Sequence, residues 1–246
     1  MIQFTFKAYF NLLMTIINSG YTFVGYEDYQ ISDKVCILRH DVDFDLFKAA
    51  EFATKEREFF VDLGINGRSM FFILLSCNFY NIASKTSRTA IEQIVESGAD
   101  IGLHFDQTVY NNDTKHITDA VEFELDIMRR LTHLPIKAVS MHMPSQELLR
   151  ANLVFRTAKN SYGSEFFEGF KYLSDSRMHW REPVIDIIQS GHFRKLHILT
   201  HPIWYDNYDL STREKVLQLV HRAEKRYSDD LEINTLGEFL GNREPK

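Results

Sequence analysis

Val35-Cys36-Ile37-Leu38-Arg39-His40-Asp41-Val42-Asp43-Phe44-Asp45 is the stretch on which the fold turns. Four apolar residues run into a polar cluster with acids at three alternate positions. A short unbroken apolar run of this kind reads as a strand of a parallel sheet, buried on both faces, that delivers functional groups at its C-terminal end. Side chains alternate along a strand, so Asp41 and Asp43 leave the same face, ~6–7 Å apart. That spacing suits a general base beside a metal ligand. The plainer alternative is a pair of solvated loop acids, with Asp45 capping the next helix.

Working outward, Tyr21-Thr22-Phe23-Val24 reads as a short extended segment. Before it, Phe6, Phe10, Leu13 and Ile17 fall at helical spacing, with Gly20 as terminator. After Asp45, the residues Leu46, Ala49, Ala50, Ala53, Phe60 and Leu63 mark the buried stripe of a helix that Gly64 ends. Residues 70–75 form the next apolar strand. Thr89 and Glu92 have capping-box spacing before a helix that Gly98 closes. Ile101-Gly102-Leu103-His104-Phe105-Asp106 is a strand with polar groups at its end. Asp119 and Glu122 form a second box, before the stripe Val121, Leu125, Met128 and Leu131. Ala138-Val139-Ser140-Met141-His142 is a further strand, and Ser145 starts a short helix. Short strands are expected near Val154 and at Tyr172-Leu173, then a helix over residues 184–188 and a strand over 196–200 that ends at His201. Ser211 with Glu214 opens a long last helix whose stripe is Val216, Val220 and Ala223. Strands alternate with helices throughout, which implies a parallel sheet with helices outside it. About seven strand candidates favour barrel-like closure in one domain over residues 1–246.

Hydrophobic residues make up 44% of the 246 and aromatics 13%, enough to fill a substantial core. A formal charge of −6 lacks the basic face that a nucleic-acid binder needs. Cys36 and Cys77, both in or beside apolar runs, read as free thiols and suit a reducing compartment. Residues 8–17 are fairly apolar, but Asn11 and Thr15 interrupt them and no small-residue cleavage site follows. The stretch has neither the layout of a signal peptide nor the length of a membrane span, and the expected location is the cytoplasm.

The informative pattern is positional. Asp41 and Asp43, His104, His142 and His201 each stand at the C-terminal end of a candidate strand. In parallel α/β folds that end is where ligands bind. A lone histidine after a strand is more often a local hydrogen-bonding residue; three of them beside two acids point to a metal-dependent hydrolytic site. One carboxylate and two imidazoles are a familiar ligand set for a catalytic divalent cation. A second carboxylate then serves as base and a histidine as general acid.

These residues resemble the polysaccharide deacetylases, the carbohydrate esterase family 4 or NodB-like group, in a divergent form. The anchors are Arg39-His40-Asp41-Val42-Asp43, Asp100-Ile101-Gly102-Leu103-His104-Phe105, His142-Met143-Pro144-Ser145, Ser174-Asp175-Ser176-Arg177 and Leu199-Thr200-His201-Pro202. The resemblance implies a distorted (β/α)7 barrel and metal-dependent removal of an acyl group, usually acetyl, from amino sugars. It also implies Zn, with Co, Ni or Mn as alternatives, and a small-molecule or glycan substrate from surface-polysaccharide synthesis. Matched to the family's Thr-Phe-Asp-Asp-Gly motif, Asp41 takes the place of the base, and Asp43 is assigned as ligand because Val42 cannot serve. His104 matches the first of two metal histidines four apart, but Thr108 stands where the second belongs. His142 is the nominee for third ligand, with Asp106 the alternative. His201 matches the general acid.

Arg39 and Arg177 are expected to pair with Asp41 or Asp175, to orient the base or hold a substrate carboxylate; ordinary salt bridges at the mouth are the plainer reading. Trp180, Trp204 and Tyr205 offer an aromatic wall for a sugar ring, against plain packing. His40 points away from Asp41 and is expected behind the site, and His197 within the core. No phosphate-cradling glycine loop or Gly-x-Ser-x-Gly elbow is present. Two rival functions remain at this stage. Thr108 motivates a metal-free barrel that binds sugar or a partner, and the same ligands would serve another metallohydrolase reaction on a cyclic amide or phosphoester.

Overall fold

A computed structural model describes residues 3–110 and 116–233. The elements in order are α1 (Phe6–Asn18), β1 (Thr22–Val24), β2 (Val35–Val42), α2 (Leu46–Asp62), β3 (Met70–Leu74), α3 (Lys85–Glu96), β4 (Asp100–Asp106) and α4 (Ile117–Thr132). They continue with β5 (Ala138–His142), α5 (Gln146–Arg150), β6 (Lys159–Asn160), α6 (Ser164–Phe167), β7 (Lys171–Ser174), α7 (Val184–Ser190), β8 (Lys195–Thr200) and α8 (Thr212–Ile233). Seven strands run in the order β6-β5-β4-β3-β2-β8-β7, and β1 lies along the first half of β2. All of these pairings are parallel. The sheet curves into a distorted (β/α)7 barrel that is left open between β6 and β7.

β2 is the axis of this arrangement. All eight of its residues are buried, as expected of an apolar strand covered on both faces. Alternation divides them. Val35 and Ile37 join Tyr26, Met70, Phe72 and Phe166 in a cluster inside the barrel. Cys36, Leu38 and Val42 pack outward into the larger core beneath α1 and α2. Gly102 on β4 meets a steric demand of the inner cluster: a Cβ there would lie 2.4 Å from the Phe72 ring. Only glycine lets Phe72 fill the barrel just below His104. Both cysteines are free thiols, Cys36 buried and Cys77 half-buried.

Five local expectations are corrected. α3 starts at Lys85 rather than near Thr89, because Ser84 upstream already accepts from the Ser87 N–H, and each added residue gains a helical bond. α4 starts at Ile117, with Asp119 in its first turn instead of capping it, where the acid still complements the helix dipole. Val154 is 81% exposed in a loop, and the strand lies at Lys159–Asn160. Side-chain amides tie that loop instead of a sheet ladder: Asn160 Nδ2 donates to the Leu153 carbonyl, and Asn152 Oδ1 accepts from the Ser164 N–H. Finally, Ser211 and Glu214 do cap each other at the start of α8, yet Val216 and Val220 are exposed. α8 docks through polar groups, with buried Lys215 donating to the Phe4 carbonyl and Arg222 and Arg226 facing Asp45. The end of α2 is similar on a smaller scale, since Leu63 sits at its C-cap and is exposed. Among the described residues no helix is long and apolar enough to cross a membrane.

Candidate active site

The barrel interior changes character along β2. Above the apolar cluster sits Arg39, fully buried, whose guanidinium donates to Asp41 Oδ2 at 2.8 Å, Ser140 Oγ at 2.7 Å and Ser161 Oγ at 2.9 Å. Its face lies 4.8 Å from the Tyr162 ring centroid. Asp41 follows one step up the strand. Burial alone would raise its carboxyl, but the charge of Arg39, aided by His104 and His201, holds it below the usual carboxylate range. Asp41 Oδ2 is taken by Arg39, while Oδ1 is buried and has no hydrogen-bond partner in the protein.

One step further up, three strand ends converge. His104 Nε2 lies 3.1 Å from Asp43 Oδ1, and His142 Nδ1 lies 3.2 Å from both of those atoms. The parallel register brings this about by placing Asp106 beside His142 and His104 beside Ser140, so that side chains of β4 and β5 turn inward at matching heights. His104 Nδ1 is 3.1 Å from the Ser140 carbonyl, which can only accept, so this nitrogen carries the proton. With Nδ1 donating to that carbonyl, Nε2 is the His104 atom turned toward the carboxylate oxygen and the second imidazole nitrogen. Three potential ligand atoms within 3.2 Å of one another suit a cation among them. Ligand bonds of ~2.0–2.1 Å put donor atoms about 3.3 Å apart around a tetrahedral ion, and the observed triangle fits closely. The backbone carbonyl on His104 is also the usual orienting partner of a metal-binding imidazole. Burial would raise Asp43, yet the hydrogen bonds of His104 and His142 and the charges of His104 and His201 bring it well below the ordinary range. His142 is raised in turn, because Asp43 outweighs its burial.

The opposite wall is built from β7 and β8. His201 Nε2 stands 3.8 Å from Asp43 Oδ2, and its Nδ1 lies 2.6 Å from Asp175 Oδ1. Asp175 is fully buried; its second oxygen accepts from the His201 N–H and from the Tyr205 hydroxyl. Burial alone would lower the His201 imidazole, but the charge and hydrogen bond of Asp175 push it up to about 9.

The five strand-end residues thus meet at one mouth, and the remaining candidates are scattered around it. Arg39 and Asp175 lie beneath the mouth, in contact with Asp41 and His201. Trp180 and Trp204 are half-buried, each with its indole N–H buried and without a partner, and the Trp204 ring centroid is 6.5 Å from that of His201. Arg177 is exposed in a left-handed turn (φ 60°) and forms no ion pair among the described residues. Tyr205 belongs to the core, packed against Phe4, Tyr9 and Phe52. Thr108 and Asp106 bond each other, at 2.9 Å through the Thr108 N–H and 2.7 Å through its hydroxyl, and neither joins the metal-ligating trio. Sequence reasoning did not find Ser140, Ser161 and Tyr162. Ser140 shares the inward face of β5 with His142, a signal present in the alternation; Ser161 and Tyr162 follow a two-residue strand and leave no such mark.

No family model matches the chain, and no curated protein does. Among solved structures, the Streptococcus pyogenes deacetylase PplD in complex with acetate aligns over 86% of this chain and 84% of its own, at 10% identity and a TM-score of 0.38. A likeness this distant says nothing of activity, and the site's own geometry has to carry the functional reading.

Proposed function

We propose that this protein is a metal-dependent N-deacylase of the NodB-like kind, releasing an acyl group, acetyl first, from an amino sugar of a surface-polysaccharide intermediate in the cytoplasm. The observation that carries the reading is the meeting of Asp43, His104 and His142 donor atoms within 3.2 Å of one another, flanked by the unpartnered Asp41 Oδ1 and by His201. A divalent cation held by that trio, Zn first and Co, Ni or Mn next, supplies Lewis acidity that acidifies water and polarises an acyl carbonyl. Asp41, kept ionised by Arg39, takes the proton of the attacking water on Oδ1. His201, kept protonated and oriented by Asp175, gives its Nε2 proton to the departing amine nitrogen. A sugar ring would rest against Trp204, whose ring centroid is 6.5 Å from that of His201, with Trp180 and Arg177 as the further proposed contacts.

The test is release of acetate or formate from N-acylated amino sugars by protein loaded with Zn²⁺, Co²⁺, Ni²⁺ or Mn²⁺, alongside metal analysis of protein purified without chelators. One bound equivalent and metal-dependent release are expected. Protein that takes up no metal would leave a sugar- or partner-binding barrel, the alternative that Thr108 raises. Bound metal with turnover only of cyclic amides or phosphoesters would move the reaction to another class of hydrolysis.

A further inference from the structure

Behind the mouth, on the other face of β2, lies a second polar network that the proposed chemistry does not use. His40 is fully buried between Phe52 and Phe71, with ring centroids 5.1 and 4.4 Å away. Its Nε2 is 3.1 Å from Glu56 Oε2 on α2, and its Nδ1 is 2.6 Å from Thr200 Oγ1 on β8. Glu56 is itself buried and also accepts from the Tyr9 hydroxyl of α1 and the Ser69 hydroxyl just before β3. A carboxylate can only accept, so Nε2 of His40 carries a proton toward Glu56, and Nδ1 shares a hydrogen bond with the Thr200 hydroxyl. Tyr9, Ser69 and His40 leave Glu56 with each oxygen occupied, a fully satisfied network of the kind that fixes one geometry.

Its place in the fold gives it meaning. His40 opposite Thr200 is the last paired position between β2 and β8, and the next residue on each strand is Asp41 on one and His201 on the other. Past this pair nothing in the β-ladder holds the two strands together, although the two proposed proton-transfer groups sit on either side of the gap. We propose that His40, anchored by Glu56, is a positioning residue: through Thr200 it sets the separation between the β2 end carrying Asp41 and Asp43 and the β8 end carrying His201. The kinetic consequence rests on the deacylase reading; the geometric one does not. Reaction rates respond steeply to such spacing, with ~1 Å of misplacement costing on the order of 10²-fold.

Thr200→Val removes only the hydroxyl at nearly constant shape, and Thr200→Ser restores it. Two readouts are taken on metal-loaded protein. In crystal structures of wild type and Thr200→Val, the His201 Nε2 to Asp43 Oδ2 distance, 3.8 Å here, is expected to change by about half an ångström or more, on the scale at which alignment governs rate. In kinetics, kcat is expected to fall about tenfold or more in Thr200→Val with KM and metal stoichiometry unchanged, and Thr200→Ser to stay within about twofold of wild type. Superposable mouths overturn the proposal whatever the activity, and so does a Thr200→Val kcat equal to wild type. A Thr200→Ser variant as impaired as Thr200→Val overturns the role given to the hydroxyl. Wild type that binds metal but deacylates nothing sinks the deacylase reading alone, and the crystallographic comparison then still decides the positioning role.

Discussion

Asp41 and Glu124 are both buried acids, and the protein treats them in opposite ways. Asp41, at the barrel mouth, touches the Arg39 guanidinium and is held below the usual range despite its burial. Glu124, on the buried face of α4, accepts from the Tyr110 hydroxyl at 3.0 Å, while its other oxygen is buried without a hydrogen-bond partner among the described residues. Burial there is opposed by no cation among the described residues, and the carboxyl is pushed up to about 7. Position in the barrel alone does not make an acid useful. A base at neutral pH has to be ionised, and an ionised carboxylate survives burial only beside a fixed positive charge. Arg39 is that charge. It reaches Asp41 because both face inward from one strand, two residues apart.

The comparison breaks most directly at Asp41. Asp41→Asn keeps the shape and the contact with Arg39 but cannot take a proton, so deacylation is expected to drop roughly 10³–10⁴-fold, near the upper end for loss of a general base. Metal content, measured by elemental analysis, is expected to stay at one equivalent because Asp43, His104 and His142 are untouched. Unchanged turnover would remove Asp41 from the chemistry. Asp175→Asn comes next, at about 10²-fold in kcat, since it disturbs the acid by way of its orienting partner. Its signature is in the pH profile. His201 must be protonated to act, so activity is lost as pH rises through its pKa, and Asp175 is what raises that pKa to about 9. A dication nearby draws the value down, and losing the Asp175 charge draws it down further. The alkaline limb of kcat is therefore expected at lower pH in the variant than in wild type, and a limb that does not move would sink the pairing as the source of the acid's charge.

Much of this site was legible in the sequence because strand alternation and strand ends are written locally. The apolar run before Arg39, the i, i+2 spacing of Asp41 and Asp43, and single histidines closing β4, β5 and β8 were enough to predict five side chains at one mouth. The alternation also put His40 behind them. What could not be read depends on pairing between distant segments. Asp175 reads from the sequence only as a partner for an arginine, because nothing in Ser174-Asp175-Ser176-Arg177 says that Tyr205 and His201 will close over it. The misjudged apolar stripe of α8 has a similar cause. Helical periodicity marks a face, but here the docking contacts are made by Lys215, Arg222 and Arg226, whose partners Phe4 and Asp45 lie far away in the chain.

Glu124 supplies the reverse test. Its carboxyl has an ordinary value of 4.5 and stands at about 7 when folded. Between those values the folded protein holds a proton that the unfolded chain releases, so stability falls as pH rises through that window. The loss by pH 8 is about 3 kcal/mol at ~1.4 kcal/mol per pKa unit. Glu124→Gln, neutral at every pH and still able to accept from Tyr110, is expected to be less stable than or equal to wild type at pH 4 and more stable at pH 8. Urea midpoints at the two pH values check this. A variant whose stability tracks wild type at both would mean that Glu124 is not protonated in the fold.

Asp45 is a third buried acid, and the smallest effect separates its two supports. One oxygen caps α2, accepting from the N–H groups of Phe47 and Lys48, both at 3.1 Å. Arg222 and Arg226 on α8 come within 3.3 and 3.6 Å of the same carboxylate. Proximity is not alignment, however, for Asp45 Oδ2 and Arg222 Nε both lack a hydrogen-bond partner. The cap is therefore the stronger support, at about 1–2 kcal/mol, and the ion pairs with half-exposed arginines contribute less than ~1 kcal/mol. Asp45→Ala is expected to cost the whole of this in chemical denaturation, while Asp45→Asn keeps the cap and costs under half as much. Equal losses in the two variants would show that charge rather than capping holds the start of α2, and would place Asp45 beside Asp41 as an acid whose worth depends on its arginine.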